Sequence, residues 1–237
     1  MDPASRGALH RLAAHVLGRR RYEVSGRFGL RAGPGGIATP AFGDGPEVVR
    51  VAGGVLIREQ SGTASYRPME GASLAELAAF TGADLTIAFS SGADTPELGD
   101  VAEPIRLAGA YVDAVADWFA LGWRALDVVL GGLPPDAEPA TLQLWPEHFD
   151  VGTHVGVAPG QRVNLGASPG DAYSEVPYLY VGPWSAERPG EAGFWNAPFG
   201  AALSATEVGG SSDPVRAAVQ FFRRGLDLVA AGNEGVS

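Results

Sequence analysis

The sequence contains no cysteine and no lysine, since all 17 of its basic residues are arginine. Without cysteine there are no disulfides, thiol nucleophiles, cysteine-ligated zinc ions or iron–sulfur clusters. Without lysine there is no Schiff-base chemistry, no internal linkage to pyridoxal phosphate and no P-loop lysine. These two absences restrict the chemistry of an active site more sharply than any motif in the chain.

Long apolar runs and an excess of positive charge are also missing. No apolar stretch approaches the ~20 residues of a membrane span. The N-terminus lacks the apolar core and cleavage site of a secretory signal, so we expect no membrane association and a cytoplasmic location. The net charge is −10. Because nucleic-acid binding normally needs a basic surface, this excess of acid argues against a nucleic-acid partner.

The pattern of the 237 residues predicts an α+β fold in a single domain, 1–237. An N-terminal helix and strands occupy 1–90, a long central helix 104–131, and a second run of strands with a C-terminal helix 139–237. We expect one antiparallel sheet system with the C-terminal helix packed on it. Ser73 and Glu76 form a capping box, which predicts a helix to about Phe80. The predicted strands are Tyr22–Leu30, Ile37–Phe42, Val48–Glu59, Thr63–Tyr66, Leu85–Ser90, Thr141–Trp145, His148–Val157, Arg162–Leu165, Val176–Val181 and Gly200–Thr206.

The stretch LWPEHFDVGTH, which ends at His154, holds two of the four histidines. Its alternating polarity predicts a strand whose polar face carries His148, Asp150 and His154. Pro146 would cause a break in the register just before it. His148 and His154 would be ~20 Å apart on a straight strand, too far for one zinc ion, so no metal ligands are assigned.

His148 and Asp150 would be ~6.6 Å apart on that strand face. A carboxylate can hold an imidazole in one tautomer and raise its basicity, which would make His148 a general base. Satisfied surface polarity is the alternative interpretation. Gly152 and Gly156 leave space on the same face, for a ligand or for an aromatic ring from a neighbouring strand.

Four further residues are candidate ligand contacts. Tyr178 and Tyr180 share a strand face and could line a pocket, or form an ordinary half-buried sheet face. Trp195 and Asn196 lie in a loop rich in turn formers, FWNAPFG, which we expect to fold over the sheet as a lid or plug. The long loop 90–104 has the composition of a functional or mobile segment.

Two functional hypotheses follow. The first is an enzyme or binding protein for a small polar or aromatic metabolite, with His148 and Asp150 as catalytic residues. The second is a non-catalytic protein whose partner binds the aromatic segment Phe194–Phe199 or the basic run Arg19–Arg21. The sequence assigns neither a cofactor nor an oligomeric state.

Four stretches resemble a bacterial, largely actinobacterial, family of unknown function. They are LWPEHFD, ASPGDAYSEVPYLYVGPW, GFWNAPFGAAL and DPVRAAVQFFRRGLDL. The resemblance covers the second half of the chain, from about Leu142. It implies no activity, substrate or catalytic residue.

Overall fold

The computed structural model describes residues 3–33 and 36–234. Over these residues the protein has the predicted α+β fold, with two antiparallel sheets and long helices in the middle and at the end. The chain divides into two compact units. The first unit is Met1–Asp117 with Gln143–Phe149, and the second is Trp118–Leu142 with Asp150–Ser237.

Six α-helices lie in the described part of the chain. In order they are α1 (Pro3–Leu12), α2 (Arg19–Ser25), α3 (Leu74–Thr81), α4 (Gly109–Leu130), α5 (Ala205–Gly209) and α6 (Pro214–Glu234). A π-helical segment, Ala13–Gly18, joins α1 to α2 without a break. None of these helices has the length and apolar character needed to cross a membrane.

Ten strands are found over the same residues. They are β1 (Arg31–Gly33), β2 (Gly36–Ala38), β3 (Glu47–Ala52), β4 (Val55–Gln60), β5 (Thr63–Pro68), β6 (Gln143–Trp145), β7 (Asp150–Ala158), β8 (Gln161–Ser168), β9 (Tyr178–Pro183) and β10 (Ala201–Ser204).

In the first unit, β1 to β5 form an antiparallel meander in chain order. The predicted single strand Val48–Glu59 is wrong, because the chain reverses at Gly53 and Gly54. Both glycines have positive φ, of 54° and 83°, which is the backbone that a tight hairpin turn requires. Apolar residues continue on both sides of the two glycines, so the sequence pattern did not indicate the turn.

The N-terminal helical run is longer than its apolar pattern predicts. Tyr22, predicted to begin a strand, lies in α2, and the helix ends at Gly26 with a left-handed φ of 68°. Leu85–Ser90 is not a strand either but an irregular, mostly exposed segment. The capping box of α3 is confirmed, since the Ser73 hydroxyl accepts from Glu76 N and the Glu76 carboxylate accepts from Ser73 N.

In the second unit, β7 to β10 lie side by side in antiparallel order. As predicted, α6 packs on this sheet with an apolar seam that includes the buried Val219, Phe222, Leu226 and Val229. Gly225 allows α6 to approach β9 closely, because a Cβ at this position would lie 2.7 Å from Val181 Cγ1.

The phenol ring of Tyr180 lies flat across two glycines of this sheet. Gly152, Gly166 and Tyr180 are direct neighbours on β7, β8 and β9. A Cβ at Gly152 would lie 2.9 Å from the Tyr180 hydroxyl, and one at Gly166 would overlap the ring. Of the two occupants expected for the space beside Gly152, the structure shows the aromatic ring.

We therefore expect Gly166→Ala to lower the free energy of unfolding by about 1–3 kcal/mol, the usual cost of overpacking. Gly7→Ala is the matched control: Gly7 is an exposed residue of α1 with open space around it, so alanine there should stabilise by about 0.5–1 kcal/mol. Urea unfolding of both variants measures the difference. A neutral result at Gly166 would show that the Tyr180 ring does not occupy this position.

Candidate active site

His148 lies in a turn and not on a strand. The strand β7 begins two residues later than predicted, at Asp150. Phe149, between the two, donates its N–H to Trp145 O at 2.8 Å and has a left-handed φ of 55°. The break expected at Pro146 therefore extends through Phe149, and the predicted strand face shared by His148 and Asp150 does not form.

The carboxylate beside His148 is Asp94 and not Asp150. His148 Nδ1 lies 3.1 Å from Asp94 Oδ2, and the two side chains are 51% and 70% exposed. Because a carboxylate only accepts hydrogen bonds, a hydrogen bond between these two atoms would need the proton on Nδ1 and would leave Nε2 as the basic nitrogen. The predicted type of pair is present, with a different carboxylate.

Glu147 adds a buried carboxyl to this pair. Its Oε1 lies 3.9 Å from His148 Nε2, which is beyond hydrogen-bonding distance. Its Oε2 is buried and has no hydrogen-bond partner among the described residues. Burial raises the pKa of Glu147, although its own main-chain N–H and the nearby His148 act in the opposite direction. Burial therefore stabilises the protonated carboxyl of Glu147 relative to its carboxylate.

The loop that carries Asp94 is fixed by its own hydrogen bonds. The Thr95 hydroxyl accepts from Ser91 N at 2.9 Å and from Gly92 N at 3.0 Å, and donates to Gly92 O at 2.7 Å. Gly92 lies against the buried carboxyl, because a Cβ there would be 3.0 Å from Glu147 Oε1. The same tight turn thus presents Asp94 to His148 and closes over Glu147.

Two histidines of the N-terminal helical run, the half-buried His10 and the buried His15, hold the segments that carry this site. His10 Nε2 lies 2.9 Å from Pro146 O and 3.1 Å from Glu147 O, and its ring stacks on Phe149. His15 Nε2 lies 2.7 Å from Pro96 O. Because carbonyl oxygens accept, both histidines donate from Nε2. Burial lowers the pKa of His10 and of His15, which favours these neutral forms.

Asp150 takes part in a different group of side chains, within the second unit. It is 7% exposed and accepts a hydrogen bond from the Tyr180 hydroxyl. Tyr178 donates to Asp171 Oδ2 at 2.6 Å, and the two tyrosine rings lie side by side at 6.4 Å. Burial, reinforced by these carboxylates, raises the pKa of both phenols well above the usual value. Tyr178 and Tyr180 share a face as predicted, and each hydroxyl donates a hydrogen bond to a carboxylate of the protein.

Trp195 and Asn196 are also engaged in the fold. Trp195 Nε1 donates to Pro189 O at 2.8 Å. Asn196 pairs with the main chain of Ala202 in β10, accepting from its N–H at 2.8 Å and donating to its carbonyl at 3.0 Å. It is Phe199, from the same loop, that packs on the rings of Tyr178 and Tyr180.

The two segments that were candidates for binding a protein partner, Phe194–Phe199 and Arg19–Arg21, make contacts within the chain instead. Phe194 contacts Phe221 of α6. Arg20 forms an ion pair with the buried Glu47 at 2.9 Å, and Arg21 donates to Gly29 O. Arg19 is buried. The basic run is therefore engaged within the chain, and it offers little free charge to a partner.

A groove of about 500 Å³ lies next to the Asp94 loop. Residues 85–90, 92, 93 and 95–98 line it together with Arg19 and His15, while Asp94, Glu147 and His148 are not among its lining residues. Gly92 lies between the groove and Glu147 Oε1. Over residues 3–33 and 36–234, no group of three or more histidine, aspartate and glutamate side chains has the arrangement of a metal site.

Comparisons with protein-family models, curated proteins and solved structures found no match to this chain. The resemblance of its second half to an actinobacterial family therefore stays a prediction. Sequence reasoning missed Asp94 and Glu147. Glu147 stands inside the LWPEHFD motif, and Asp94 lies in the 90–104 loop, whose length was the available signal.

The raised pKa of Glu147 gives a stability test. The contribution of the protonated Glu147 carboxyl to the free energy of unfolding is fully present below the pKa of glutamate in the unfolded chain, about 4.3. It is lost as the pH rises through the higher pKa that Glu147 has in the folded protein. Glu147→Gln should therefore exceed the native protein in stability by about 1 kcal/mol or more at pH 8, with the gain shrinking towards pH 4. Urea unfolding at both pH values measures it. The exposed Glu103→Gln is the control, and an equal gain at both pH values would contradict the burial argument.

Proposed function

We propose that the protein is an enzyme that moves a proton on a small molecule, with His148 as the acid–base group. The observation that carries the proposal is the His148–Asp94 pair at 3.1 Å. It combines a half-exposed imidazole, a carboxylate on its Nδ1 and an Nε2 with no hydrogen bond to a described residue. This is the arrangement that positions an imidazole for general base catalysis.

Asp94 would act as a positioning residue. Its carboxylate keeps the proton on Nδ1 and stabilises the imidazolium that forms when Nε2 accepts a proton. The Thr95-centred turn holds Asp94 in place through the hydrogen bonds of Gly92 and Ser91. The base would therefore be oriented before a substrate arrives, which lowers the cost of reaching the reactive geometry.

Glu147 would supply the complementary acid. General acids in enzymes are often carboxyls whose pKa is raised by burial, as that of Glu147 is. Here the exposed imidazole and the buried carboxyl lie 3.9 Å apart at His148 Nε2 and Glu147 Oε1. A substrate proton removed by His148 and a proton delivered from Glu147 would leave the total charge of the site unchanged.

The half-exposed position of His148 favours a small polar substrate. Its imidazole and Asp94 are open to solvent. The chain neighbours of Asp94, Ala93 and Thr95, line a groove of about 500 Å³, a volume within the size range of small-molecule sites. Protein-partner binding through Phe194–Phe199 is less well supported, because Phe194 and Phe199 contact α6 and the tyrosine face.

The test begins with a thermal-shift screen of small polar and aromatic metabolites, with divalent metals included, followed by NMR detection of turnover of each hit. His148→Gln should lower kcat by about 10²–10⁴-fold, the usual contribution of a general base. The melting temperature should stay within a few degrees, because the side chain is half-exposed. Asp94→Asn should cause a smaller loss.

His154→Gln is the matched control, since His154 lies on β7 and its Nδ1 accepts from Arg162 Nε at 2.9 Å. It should leave turnover unchanged. A large fall in the melting temperature of His148→Gln would make His148 a structural residue. Full turnover in that variant would end the proposal.

A further inference from the structure

The groove beside the 90–96 loop contains a buried cation without a counter-ion. Arg19 is 3% exposed, and its Nη1 donates to Asp84 O at 2.8 Å and to Ile87 O at 2.5 Å. Its guanidinium also lies 5.1 Å from the centre of the Phe89 ring. Among the described residues it makes no ion pair, although Glu23 and Asp84 are close enough to act on its charge.

A buried guanidinium in a folded protein is normally paired, because removing its hydration costs several kcal/mol. Carbonyl oxygens of Asp84 and Ile87 satisfy Nη1 only. Nε is buried and makes no hydrogen bond to a described residue. Nη2 makes no hydrogen bond to a described residue either, so the Nε–Nη2 edge of the guanidinium has no acceptor. Arg20 next to it is different, since its guanidinium is paired with Glu47.

His15 supplies a second group to the same groove. It is 3% exposed, and its Nε2–H is committed to Pro96 O. Its Nδ1 is therefore an acceptor in the neutral ring, and it has no hydrogen-bond partner among the described residues. A cation edge and a lone-pair acceptor together match a ligand that carries both a negative oxygen and a hydroxyl.

The local backbone is consistent with a built site. His15 lies in the π-helical segment Ala13–Gly18, and Arg19 follows directly after it. Single π-helical turns are rare and occur frequently at functional sites. The facing wall is the irregular segment 85–98, whose main chain is anchored by Arg19 at Asp84 and Ile87 and by His15 at Pro96.

We propose that this groove binds the anionic group of a small molecule, with Arg19 pairing to a negative oxygen and His15 Nδ1 accepting from a neighbouring hydroxyl. Hydrogen phosphate and a 2-hydroxycarboxylate both have this combination of groups. Sulfate and a simple carboxylate have the charge but no hydroxyl. The inference goes beyond the proposed acid–base role and does not depend on it, because anion binding needs no proton transfer at His148.

The test is a thermal-shift and calorimetric titration of the full chain at pH 7 with sodium phosphate, with sodium sulfate at matched ionic strength as the reference. We expect phosphate to raise the melting temperature and sulfate to do so at least about tenfold less effectively, the effect of one hydrogen bond of about 1.4 kcal/mol. Lactate against propionate is the second arm, and it tells a hydroxycarboxylate ligand from a phosphate ligand.

Variants assign the two contacts. Arg19→Lys keeps the charge but loses the planar fork, so phosphate binding should weaken by about tenfold or more. His15→Phe should bind phosphate and sulfate alike. Arg20→Lys is the matched control and should bind as the native protein does, as should His148→Gln, which separates this site from the proposed catalytic group.

Ala93→Trp provides a variant that leaves Arg19 and His15 in place. Ala93 is exposed and lines the groove, so an indole there should block binding without unfolding the chain. Absence of any phosphate or lactate effect on the native protein would overturn the proposal. So would unchanged binding in both Arg19→Lys and Ala93→Trp.

Discussion

The left-handed backbone conformation of Phe149 determines which side chains the residues on either side of it can contact. A non-glycine residue in this conformation costs roughly 1–2 kcal/mol, so its surroundings must hold it there. Phe149 is 2% exposed, its ring stacks on His10 at 5.1 Å, and its N–H is bonded to Trp145 O. Because the chain turns at this residue, His148 stays outside the strand and faces Asp94, while Asp150 begins the strand and meets Tyr180.

Three of the four histidines act on one short region of the first unit. His10 fixes the turn that carries Glu147 and His148, and His15 fixes the loop that carries Asp94. His15 is buried and His10 is half-buried, and desolvation favours the neutral ring of both. His10 thus holds the segment that carries the exposed His148, and His15 holds the loop that carries Asp94, each through a neutral ring that donates to a carbonyl oxygen.

The sequence predicted what depends on local pattern. The α+β class, the capping box at Ser73 and the apolar seam of α6 all follow from neighbours in the chain. It could not predict Phe149, because alternating polarity runs unbroken through FDV and the turn is stabilised by His10 far along the chain. The partner of His148 was misassigned for the same reason. Tyr178 and Tyr180 were correctly placed on one face. The partner of Tyr180, Asp150, depends on strand register, and the partner of Tyr178, Asp171, depends on the path of the loop between β8 and β9. The space beside Gly152 was predicted to hold either a ligand or an aromatic ring. The pairing of Gly166 with Tyr180, which the sequence does not reveal, shows that it holds the ring.

The side chain of Asn196 has a consequence for how the protein meets copies of itself. Strand β10 is the outer strand on its side of the sheet, and unpaired edges are templates on which further chains can add. By both donating to and accepting from the main chain of Ala202, the amide takes the place that an incoming strand would use. The segment Phe194–Phe199, through Asn196, therefore blocks the addition of another strand at Ala202.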